Sequence, residues 1–168
     1  MVLWIYVCTI AALIIDAFSV FPREQKSVVN EIITFAAVCL STQFAYAVTT
    51  NTISLSVIGL WAINTLFFSS SIFTVKLRKP KTSSLIPAVI YHAIATIIIF
   101  ILYWFNLLSP VTALAFGIAL LKFAFIALNQ EWYRNVKIQY VAMLETSTAL
   151  AFLTIVALTI LPARLTTL

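Results

Sequence analysis

Apolar residues run almost without interruption through six stretches of this chain, and polar residues collect in the short segments between them. The stretches are Val2–Phe21, Asn30–Val48, Ile53–Val75, Leu85–Phe105, Val111–Leu128 and Ile138–Leu161. Each is close to the roughly 20 residues that carry a helix across the hydrocarbon core of a bilayer. Lipid leaves a backbone only two ways to satisfy its polar groups, a helix or a closed barrel, and long runs without two-residue alternation select the helix. The pattern predicts an all-α polytopic membrane protein, a bundle of about six transmembrane helices forming one domain over residues 1–168. The prolines agree, since Pro22, Pro80, Pro87, Pro110 and Pro162 all fall at or near span ends, where a missing N–H costs a helix least.

Composition narrows the class further. The chain is 63% hydrophobic and 9% charged, with mean hydropathy +1.10, whereas a soluble domain carries about a quarter charged residues. The net charge of +5 is sorted by loop rather than gathered on a face, which argues against a nucleic-acid partner. Arg23 and Lys26 lie in the first loop, Lys76, Arg78, Lys79 and Lys81 in the third, and Arg134 and Lys137 in the fifth. The second loop, "TTNT" at 49–52, and the fourth, "NLLSP" at 106–110, have no basic residue, and the C-terminal end has Arg164. The positive-inside bias then places loops one, three and five in the cytoplasm and both termini outside. Trp4 and Tyr6, and Tyr103 and Trp104, are expected as outer interface anchors, with Trp132 and Tyr133 as inner ones. The N-terminal run has no basic residue before it and is too long for a cleavable signal.

Five ionisable residues interrupt the apolar runs: Asp16, Glu31, His92, Lys122 and Glu145. At about 1.5 Å per residue all lie within about 11 Å of the basic boundary, so they are the candidates for a polar, cytoplasm-facing pocket. Charges at such depth are costly and face partners or water. Glu31 also fits the opening turn of its helix, Lys122 can reach headgroup level along its stem, and a lone His92 is commonly hydrogen-bonded to a neighbour. Lys122 and Glu145 flank the loop Asn129–Lys137 almost symmetrically, so they predict an ion pair between antiparallel helices.

A single histidine excludes a multi-histidine zinc site or a bis-histidine haem within one chain, and there is no GxSxG, HExxH, Walker or Rossmann pattern. No metal and no cofactor are expected. Cys8 and Cys39, without CxxC spacing, are expected as buried free thiols. Ala113 and Gly117 predict a close helix crossing.

Four segments together resemble one family: "REQKSVVNEI" at 23–32, "LWAINTLFFSSSIFTVKLR" at 60–78, "VIYHAIA" at 89–95 and "IQYVAMLETSTALAFLTIVAL" at 138–158. They are similar to the YwiC-like family of bacterial integral membrane proteins, itself similar in fold to UbiA-type prenyltransferases. The resemblance implies a bacterial plasma membrane. Family members open with a segment resembling "REHGAW" and further apolar helices that this chain lacks, so the resemblance implies a start partway through a member. UbiA-type chemistry holds Mg²⁺ on two Asp-rich motifs, and Asp16 is the only Asp in the chain. The reading that follows is a YwiC-like multi-pass protein that binds a lipid-like ligand or a membrane partner, including a second copy of itself, through the polar pocket. Alternatives are a small proton-coupled or solute transporter and a divergent UbiA-like prenyl-transfer enzyme.

Overall fold

The computed structural model describes Val7, Ile10, Ile14 and residues 28–50, 55–79 and 84–160, and among these residues it is helical without strands. The helices are α1 (Val28–Thr50), α2 (Leu55–Lys76), α3 (Ile86–Trp104), α4 (Pro110–Ala115), α5 (Gly117–Leu128), α6 (Gln130–Asn135) and α7 (Ile138–Ile160). Among the described residues four stretches are long and apolar enough to cross a membrane: α2 with 22 residues, α3 with 19, α4 and α5 together with 19, and α7 with 23. In α1 the shorter apolar stretch is Val28–Gln43. The span expected over Val2–Phe21 lies outside the described residues, apart from Val7, Ile10 and Ile14, which are helical and exposed.

The chain divides into two compact units, Met1–Ile72 and Phe73–Leu168. In the first, Trp61 of α2 donates its indole N–H to the Ala36 carbonyl of α1 at 2.8 Å. Phe35 and Phe68 stack with ring centres 6.4 Å apart. Cys39 is a buried free thiol, as expected, while Cys8 lies outside the described residues. Helix α2 buries the polar residues Asn64, Thr65, Ser69, Ser70 and Thr74. Asn64 donates to the Leu60 carbonyl and Ser70 to the Phe67 carbonyl, bonds within the helix that let polar side chains sit in an apolar medium.

The second unit is a set of helices running back and forth. Helix α3 buries Ala88, His92, Ala95 and Ile99 at helical spacing, and exposes Ile86, Val89, Ile90, Ile94, Ile97 and Phe100. An exposed face so apolar has no place in water and fits hydrocarbon. The helix ends in a hydrogen-bonded reversal in which Asn106 takes the left-handed conformation, φ 57°. The N–H of Asn106 bonds the Tyr103 carbonyl and that of Leu107 the Leu102 carbonyl, the Schellman pattern that closes a helix, with Asn in the place glycine often takes. Ser109 then caps α4, accepting from the Thr112 N–H at 3.1 Å, with Pro110 in the first turn. Thr112 also bonds the Thr159 hydroxyl at 3.1 Å, which ties the start of α4 to the end of α7.

The expected span Val111–Leu128 is present as Pro110–Leu128, with a local interruption at Phe116, whose N–H bonds the Ala113 carbonyl three residues back. The close crossing that Ala113 and Gly117 would allow is not formed at Gly117 among the described residues, where an added Cβ would meet nothing within 4 Å. Gly117 instead sits at the helix break, where its weak helix propensity helps the interruption. Gly117→Ala is therefore expected to raise stability by up to about 1 kcal/mol, read as a higher melting temperature of the purified protein; a loss of stability would restore the close crossing.

Candidate functional site

Helices α5 and α7 pack together and bring Lys122 and Glu145 into contact, Nζ to Oε2 at 2.7 Å. The pairing expected from hairpin symmetry is present. Lys122 does not extend its stem to the surface, since its side chain is fully buried, while that of Glu145 is 19% exposed. Thr74, near the end of α2, donates its hydroxyl to Oε1 of the same carboxylate at 3.2 Å. Both carboxylate oxygens thus accept a hydrogen bond, and the pair satisfies the condition under which buried ions are tolerated.

At the loop end of these helices Leu77, Ile126, Tyr133 and Val141 form a buried apolar cluster, with Leu85, Val136 and Leu144 packed against it. Tyr133 was expected as an interface anchor; it is fully buried instead, and its neighbour Trp132, 47% exposed, is the ring placed to meet an interface. The reason is Arg78. Its guanidinium donates to the Tyr133 carbonyl at 2.8 Å and the Val136 carbonyl at 2.6 Å, the open carbonyls at the C-terminal end of α6 where a cation is favoured. The same guanidinium lies 5.7 Å from the Tyr133 ring centre, within cation–π range. Arg78 thus holds α6 inward and turns the Tyr133 ring into the core.

Burial pushes the Tyr133 hydroxyl up to about 12; the negative charge of Glu145 adds to this, and Thr74 and Arg78 oppose it. Because the folded state holds this proton more tightly than the unfolded one, stability is full below about pH 10 and falls as pH rises from about 10 to about 12.

His92 of α3 is buried and stacks flat on Phe123 of α5, ring centres 4.2 Å apart at 13°. Tyr91 meets it edge-on and in turn stacks on Phe73. The Nδ1 atom of His92 is 2.7 Å from the Ala88 carbonyl. The structure thus gathers three of the candidate residues, His92, Lys122 and Glu145, within the second unit. Glu31 lies in the first turn of α1, as expected for an acid there, and Asp16 is outside the described residues. Among the described residues no three His, Cys, Asp or Glu side chains group as metal ligands. Thr74, Arg78 and Phe123 were not singled out from the sequence; a hydroxyl, a loop cation and a phenyl ring carry no signal there beyond generic helix and topology patterns.

Further along the same helices an apolar groove of about 420 Å³ opens between α3 and the broken α4–α5 segment. Thr96, Ile99 and Tyr103 form one wall, and Ala113, Leu114 and Leu120 the other. It lies toward the end of α3 away from the basic loop Lys76–Lys79, beside the helix break at Phe116.

Two outcomes test this description. Lys122→Met alone is expected to cost about 3–5 kcal/mol, and more than Lys122→Met with Glu145→Leu together, because the single change strands a buried charge; additive losses in a double-mutant cycle would contradict the pairing. Tyr133→Phe is expected to flatten the fall in stability between about pH 10 and pH 12, measured by denaturation across that range against the unmodified chain.

No curated protein and no solved structure matches the chain. A family model described as YwiC-like protein matches residues 1–47, a stretch that contains the segment at 23–32.

Proposed function

We propose that the chain is a YwiC-like multi-pass membrane protein that binds a lipid-like ligand, with the ligand's hydrocarbon chain seated in the groove between α3 and α4–α5. The groove carries this reading. Its walls are apolar, and it is cut into helices long and apolar enough to lie in a bilayer. None of its described lining residues is charged, so it suits hydrocarbon and not a solvated solute. The family match over residues 1–47 supports the membership part of the reading.

In this reading the binding surface differs from the one the sequence suggested. Lys122 and Glu145 are engaged with each other, and Glu145 also with Thr74, so their part is to hold α5 and α7 in register beside the groove. With the basic loops in the cytoplasm of a bacterial cell and both termini outside, the groove lies in the outer half of the membrane.

A second reading, proton-coupled transport, draws on the buried Lys122–Glu145 pair, since intramembrane ionisable groups commonly carry protons or solute. Proton flux in proteoliposomes that Glu145→Gln abolishes would promote it over lipid binding.

The ligand reading predicts that an isoprenoid or quinone raises the melting temperature of the detergent-purified protein. A ligand at about one hundred times its Kd adds about 2.7 kcal/mol. Ala113→Trp, which fills the groove, is expected to abolish the shift. No shift with any isoprenoid or quinone, or a shift that survives Ala113→Trp, would refute it.

A further inference from the structure

One turn of α3 inward of the groove, the imidazole of His92 has a nitrogen without a hydrogen-bond partner among the described residues. The Ala88 carbonyl can only accept, so the 2.7 Å contact to His92 Nδ1 makes Nδ1 the nitrogen that carries the proton. Nε2 is then a bare acceptor, and it is buried without a hydrogen-bond partner. His92 as a whole is 3% exposed. An acceptor left dry in an apolar interior is costly, and native structures fill such positions with water or a ligand.

The position of the ring ties this atom to the groove. Thr96, four residues beyond His92, lines one wall, and its hydroxyl donates to the His92 carbonyl at 2.7 Å. Leu120, three residues before Phe123, lines the other wall. The stacked rings of His92 and Phe123 lie one helical turn inward of these lining residues on the same two helices, just outside the groove's own lining. The two nitrogens of an imidazole point in widely divergent directions within the ring plane. With Nδ1 turned back toward Ala88 at the start of α3, Nε2 is turned away from that end.

We propose that His92 Nε2 is the polar anchor of the groove, accepting a hydrogen bond from the hydroxyl of an uncharged, hydroxyl-terminated hydrocarbon chain. This rests on the groove being a ligand site, and it adds the ligand's class. A lone pair repels the oxygens of a phosphate or carboxylate head. The nearby ammonium of Lys122 is already matched by Glu145, and no cation lines the groove. A ketone or ether oxygen has no proton to give. An alcohol or phenol supplies the one donor that the site lacks.

The test compares farnesol with farnesyl methyl ether, which has the same chain without the donor, on the full chain in detergent. Wild type is expected to bind farnesol about tenfold more tightly than the ether. His92→Phe keeps the ring stack on Phe123 and is expected to bind both probes alike, with the affinity wild type shows for the ether. Dodecanol and its methyl ether form a parallel pair; the same hydroxyl preference is expected, and the tighter of the two alcohols tells a branched chain from a linear one. Wild type binding alcohols and ethers equally, or His92→Phe retaining the preference, overturns the anchor while leaving the groove in place. Failure of every probe to bind wild type overturns the groove reading itself. The wild-type comparison of alcohol with ether decides the matter even if His92→Phe does not fold.

Discussion

A single ion pair sets the terms for the second unit of this protein. Lys122 and Glu145 are each the one charged residue of their helix, and in a membrane-spanning helix neither charge is tolerable alone. Their contact at 2.7 Å fixes how far α5 and α7 can slide or turn relative to each other, because a shift by one residue rotates a helical side chain far from its partner. Apolar helices in lipid lack the hydrophobic drive that orders helices in water, so specific polar contacts of this kind supply the register. Thr74 extends the constraint to the end of α2 by engaging the second carboxylate oxygen.

The other polar contacts lie at the two ends of the bundle. Near the basic loop, Arg78 gathers the carbonyls of Tyr133 and Val136 and draws α6 over the cluster of Leu77, Ile126 and Val141. At the opposite end Ser109, Thr112 and Thr159 join α4 to α7 through hydroxyls. Between these ties the α4–α5 segment is interrupted at Phe116, and the groove opens beside the interruption. The proposed hydrocarbon ligand would lie between these fixed ends.

Much of the helical architecture was legible in the sequence, and the candidate site was legible in part. Long apolar runs and peripheral prolines located four spans to within a few residues, because a bilayer imposes helix length directly. Lys122 and Glu145 could be paired because they sit at equal distances from one loop, which makes depth a matter of counting. What could not be counted was helix rotation. Helix α2 spreads its polar residues around its circumference and has almost no amphipathic bias, so nothing in its sequence says that Thr74 turns toward Glu145. Tyr133 read as an interface ring because its neighbours are polar; only the fold brings Arg78, 55 residues away in sequence, to its carbonyl. The break at Phe116 was hidden by a hydropathy pattern that continues through it, and the groove beside it is a property of packing, to which hydropathy is blind.

The most direct test of the central claim is the distance between the two charges in a bilayer. Solid-state NMR on the full chain, labelled at the Lys122 ammonium nitrogen and the Glu145 carboxyl carbon, measures it without mutation. Direct ion pairing predicts a separation of about 4 Å or less. A nitrogen and carbon well beyond that reach would contradict it, and with it the register of α5 on α7 from which the rest of the second unit follows.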